Sequence, residues 1–114
     1  MKKTPLTVFI LGEHALVVNG LRHRIKQKFG SAVEVKLFCD VHLCLRSVDK
    51  DTDVLVLDEH LEGRRAGVWG SHFRAINPQV EVLRHDSEDH VLAELSTMLR
   101  QKLVPEAAAV FALV

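Results

Sequence analysis

Two carboxylates stand directly after the two most apolar runs of the chain. Glu13 follows Thr7-Val8-Phe9-Ile10-Leu11-Gly12, and Asp58 follows Val54-Leu55-Val56-Leu57. If those runs are neighbouring strands, both side chains open into one crevice, and hard oxygen ligands gathered in this way suit Mg²⁺. A lone carboxylate at a strand end is often only a cap for the next helix, so the pair says more than either member alone. The seven histidines, at positions 14, 23, 42, 60, 72, 85 and 90, include no His-x-x-x-His pair and read as mostly surface residues. Cys39 and Cys44 have no second pair to complete a zinc ribbon or a disulfide framework, which leaves free thiols in a reducing cytoplasm.

The elements that must position the two carboxylates follow from hydrophobic periodicity. Thr7 to Leu11 is apolar from Val8 on, and Val54 to Leu57 is apolar throughout, as strands covered on both faces of a parallel sheet are. Between them, Val17, Val18, Leu21, Ile25 and Phe29 recur at helical spacing from His14 to Phe29, and Gly30 closes that helix. Residues 32–38 alternate as a strand nearer the sheet edge, and Asp40 caps a short helix that runs through Val48. After a loop from Glu59 to Ala66, the residues Val68, Trp69, Phe73 and Ile76 form one helical stripe that Asn77-Pro78 ends. Val80 to Leu83 make a fourth strand, and Asp86 or Ser87 caps a helix facing inward through Val91, Leu92, Leu95 and Met98. Beyond Met98 two continuations are open: the helix runs on to Leu103, or Arg100 to Val104 form a fifth strand. Pro105 suits the first position of a short final helix in either case.

This alternation predicts a single α/β domain over residues 1–114, a doubly wound parallel sheet of four or five strands with helices on both faces. Its 114 residues suffice for one core. Fifteen basic residues balance fifteen acidic ones, so no global field favours nucleic acid or an anionic membrane. The balance conceals segregation. Residues 1–30 carry six Lys and Arg against Glu13, whereas residues 49–62 carry six Asp and Glu against Lys50. No apolar run reaches the roughly 18 residues of a membrane span. The segment from Ala107 to Val114 is nevertheless apolar throughout, which predicts docking into the fold or dimerisation through it.

In this order the motifs resemble the receiver domains of two-component response regulators. Gly12-Glu13-His14-Ala15-Leu16-Val17 with Gly20-Leu21-Arg22 resembles their acidic-pair turn and first helix. Val54 to Leu61 is similar to the phosphoacceptor strand, Asn77 to Leu83 to the approach to the fourth strand, and His85 to Leu92 to the start of the fourth helix. The resemblance implies a flavodoxin-like fold and a cytoplasmic signalling domain, not an enzyme in its own right, that takes a phosphoryl group from a histidine kinase or another phosphorelay protein. It assigns the acceptor to Asp58, and Mg²⁺ to Glu13, Asp58 and the backbone carbonyl of His60. His14 and His60 are then expected at the mouth of the crevice, as titratable neighbours of Asp58.

The departures from the family pattern fall on the same site. Gly12 occupies the first acidic position, and Glu13 stands where an Asp is usual. Leu83-Arg84-His85 runs into the helix without the Ser or Thr that ends the family's fourth strand. Pro105 falls where the family carries Lys, which leaves Arg84 as the nearest substitute cation. Charge stabilisation is usually the largest catalytic term, so these losses predict a degenerate receiver with weak Mg²⁺ dependence. A phosphorylation-independent pseudo-receiver, acting as a protein-interaction module, is the competing expectation. A flavin carrier on the same fold is disfavoured, because Glu13 puts negative charge where a phosphate would bind.

Overall fold

The computed structural model describes residues 5–103. The element order is β1 (Leu6–Leu11), α1 (Ala15–Phe29), a 3-10 turn (Gly30–Ala32), β2 (Val33–Phe38), α2 (Val41–Ser47), β3 (Val54–Leu57), β4 (His60–Leu61), β5 (Arg64–Arg65), α3 (Ala66–Ile76), β6 (Glu81–Arg84) and α4 (Glu88–Leu103). Four strands form a parallel sheet in the order β2-β1-β3-β6, with Leu11 opposite Leu57 and Leu57 opposite Arg84. The fold is therefore the α/β, flavodoxin-like type, and the two apolar runs are the two central strands.

Alternation along those strands divides the core in two. Val8, Ile10, Val54 and Val56 pack with Val18, Leu21 and Ile25 of α1 and with Val91, Leu92, Leu95 and Leu99 of α4. Phe9, Leu11, Leu55 and Leu57 pack on the opposite face with Val41 and Cys44 of α2 and with Trp69 and Phe73 of α3. Burial on both faces explains why neither strand shows a polar alternate. The edge strand β2 does alternate, burying Val33 while Glu34 is exposed.

Local chemistry sets the boundaries. Gly30 takes φ 57°, a conformation open to glycine, and its N–H bonds to the Lys26 carbonyl where α1 ends. Asp40 accepts the N–H groups of His42 and Leu43 and so caps α2. Asn77 stops α3 and is itself buried, with its side-chain amide donating to the carbonyls of Asp49 and Thr52.

Several expectations need correction. Val17 of α1 is 46% exposed, and Val68 and Ile76 of α3 are 44% and 47% exposed, so each buried stripe is narrower than the periodicity suggested. The segment expected as a loop after Asp58 contains a two-stranded antiparallel ribbon, β4 with β5. Helix α4 runs unbroken to Leu103, so residues 100–103 are helical and make no fifth strand. Residue 104, the helix expected from Pro105, and the apolar segment to Val114 lie outside the described residues.

Candidate functional site

The sheet places the site. The chain leaves β1 outward to β2 and then crosses back to β3 on the other side of β1, and in such sheets ligands bind beyond the strand ends at this reversal. Glu13 and Asp58 both stand there. The Asp58 N–H donates to the Leu11 carbonyl at 3.1 Å, extending the β1–β3 ladder by one rung. Its side chain is 19% exposed. One carboxylate oxygen, Oδ2, accepts the Glu13 N–H at 3.3 Å.

The Glu13 carboxylate is engaged elsewhere. Its Oε2 accepts the Glu62 N–H at 2.8 Å and thereby ties the β1–α1 turn to the β4–β5 turn. That turn needs such a tie, because Glu62 and Gly63 both adopt positive φ, at 50° and 76°. The opposite side of the ribbon is anchored by the Trp69 indole N–H, which donates to the Leu61 carbonyl at 2.7 Å. Trp69 is 6% exposed, in keeping with its expected core role.

Gly12 is the next contributor. A Cβ built there would lie 2.6 Å from Val18 Cγ1 and 2.8 Å from Asp58 Oδ2. The Asp58 carboxylate thus packs against the bare backbone of position 12, and the absence of an acid there is part of how the crevice closes.

The third side of Asp58 is formed by a residue that sequence reasoning left in a joining loop. His85 Nδ1 lies 3.7 Å from Asp58 Oδ1, and the imidazole side chain is 7% exposed. The signal was available in principle: β6 pairs with β3, and both residues are the first beyond their strand ends. By contrast, His14 and His60 are exposed and neither ring meets Asp58. Arg84, the candidate substitute cation, is directed to Glu59 at 3.9 Å with its side chain 59% exposed. It lines a groove of about 630 Å³ with Glu59, His60 and Arg65, beside the crevice and outside it.

A Mg²⁺ ion takes near-octahedral oxygen donors, several of them water and one or two of them protein carboxylates. The donors on hand are Asp58, Glu13 and the His60 carbonyl. In this arrangement Glu13 Oε2 is turned to the Glu62 N–H, Asp58 Oδ2 accepts the Glu13 N–H, and position 12 brings no carboxylate. Among the described residues, no three His, Cys, Asp or Glu side chains are grouped to hold a metal ion. Nor is any described helix long and apolar enough to cross a membrane.

No family model matches the chain, and no curated protein matches it.

Proposed function

We propose that the chain is a receiver-like signalling domain that works through protein contact, without phosphoryl transfer, on behalf of a histidine kinase or another phosphorelay protein. One observation carries the reading: the Asp58 carboxylate accepts the Glu13 N–H and packs against the bare Gly12, where a side chain would clash with it and where the receiver pattern has its first acid. Phosphoryl transfer relies on cations to neutralise the developing charge, and among the described residues no three His, Cys, Asp or Glu side chains group here to hold one. A contact surface is also at hand beside the crevice. Leu16 is 89% exposed at the start of α1, and Val17 beside it is 46% exposed, on a helix that continues into Arg22, His23 and Lys26.

A second reading keeps phosphoacceptance at Asp58 with Mg²⁺ held by Glu13, Asp58 and the His60 carbonyl. It is favoured by the position of Asp58 at the sheet's reversal point with its side chain 19% exposed, within reach of a donor. Glu13 would then have to leave the Glu62 N–H. Incubation with acetyl phosphate and Mg²⁺, read by intact mass, separates the readings. We expect no adduct; a phosphoryl adduct that is lost in Asp58→Asn would establish the second reading and sink the first.

A further inference from the structure

Asp58 is a partly buried carboxylate in a crevice short of other acids, and burial of a charge requires compensation. The Glu13 N–H supplies some of it at Oδ2. At Oδ1 the facing polar group is the His85 imidazole, the more deeply buried of the pair at 7% side-chain exposure against 19%.

The backbone leaves His85 little freedom to do otherwise. Its N–H donates to the Leu57 carbonyl at 2.8 Å, so the residue continues the β3–β6 ladder as Asp58 continues the β1–β3 ladder. The chain then turns at once, with the Asp86 N–H on the Arg84 carbonyl at 2.9 Å. Just beyond, Arg24 of α1 grips Glu88 at 3.0 Å and Asp89 at 2.9 Å, fixing the start of α4. His85 is thus held between a strand rung and a clamped helix, with its Nδ1 3.7 Å from Asp58 Oδ1.

We propose that His85 is the positioning residue of this crevice: its Nδ1, at an ion-pair distance of 3.7 Å from Asp58 Oδ1, orients the carboxylate toward the Glu13 N–H and ties the β6–α4 junction to the end of β3 without metal. The inference rests on the reading of the crevice as metal-independent.

Amide NMR spectra of the full chain test it, because the Glu13 amide reports its bond to Asp58. His85→Leu fills the same volume without a polar nitrogen, whereas His85→Gln keeps an N–H able to reach the carboxylate. Hydrogen exchange of the Glu13 amide is expected to quicken in His85→Leu, where Asp58 is no longer oriented, and to keep its native rate in His85→Gln, whereas loss of the imidazole ring current shifts nearby amides in both. An unchanged exchange rate in His85→Leu, or the same acceleration in both variants, would overturn the role of His85 alone. Millimolar Mg²⁺ is expected to leave the native Glu13, Asp58 and His85 amides in place. Saturable Mg²⁺ shifts at those amides would instead overturn the metal-independent reading and the inference with it.

Discussion

Position 12 has room for a hydrogen atom toward Asp58 and for nothing larger. Neither neighbour yields cheaply, since Val18 is 1% exposed in the α1 face of the core and Asp58 is held by the Glu13 N–H. Positive φ is not the reason for glycine here, since among the described glycines Gly30 and Gly63 adopt it and Gly12 does not. Close approach is. Gly12→Ala is therefore expected to lose about 1 to 3 kcal/mol through overpacking, and Gly12→Asp to lose more because it sets a second carboxylate against Asp58. Urea denaturation of both variants checks this, and a Gly12→Asp protein as stable as the native one would show that the crevice accepts the acid. The residue scale also marks the limit of what the sequence disclosed. Glu13 and Asp58 were visible because each ends an apolar run, a one-dimensional signal. His85 was hidden because its meeting with Asp58 depends on which strand lies beside β3, and that pairing joins residues far apart in the chain.

At the scale of elements, the central strands and the two sharp stops, Gly30 and Asn77-Pro78, were legible because uniform burial and backbone restriction each leave a local mark. Helix faces were read too broadly. Val17, Val68 and Ile76 share the apolar phase of their helices, yet a helix lying on a sheet buries only the stripe that touches it. The β4–β5 ribbon left no pattern at all, since two-residue strands are too short to alternate; Glu13 and Trp69 hold it from outside. Helix α2 illustrates a local mark with a measurable consequence. The Asp40 carboxyl is held below its usual range by the N–H of Leu43 and then that of His42. A depressed native pKa means stability present above the unfolded value and lost as pH falls through the native one, so the α2 cap should loosen only in acid below 3.8. The His42 and Leu43 amide shifts should follow that titration in the native chain. In Asp40→Asn, which caps without titrating, they should be flat, and a surviving acid transition there would assign it to another group.

Taken whole, the molecule is one sheet shared by two cores, and its charge segregation is partly consumed in holding them together. The basic residues of α1 do not turn toward the acidic stretch around Asp58: Arg24 clamps α4, and Lys26 Nζ donates to the carbonyls of Gly30 and Val33. The cores share the strands, whose alternate residues serve opposite faces. If the sheet couples them, the domain must unfold in a single step even when damaged on one side. Leu21, on the α1 face, and Phe73, on the α3 face, are both fully buried. Leu21→Ala is expected to cost about 2 to 5 kcal/mol and Phe73→Ala about 3 to 5 kcal/mol, each a large share of the roughly 5 to 15 kcal/mol that holds a domain folded. Trp69 lies on the Phe73 side, so its fluorescence reports that core alone while far-UV circular dichroism reports all helices. In Leu21→Ala the two signals should move together to lower denaturant. A Trp69 transition left at its native midpoint while the dichroism shifts would show that the sheet does not transmit the loss, and that the α1–α4 layer unfolds on its own.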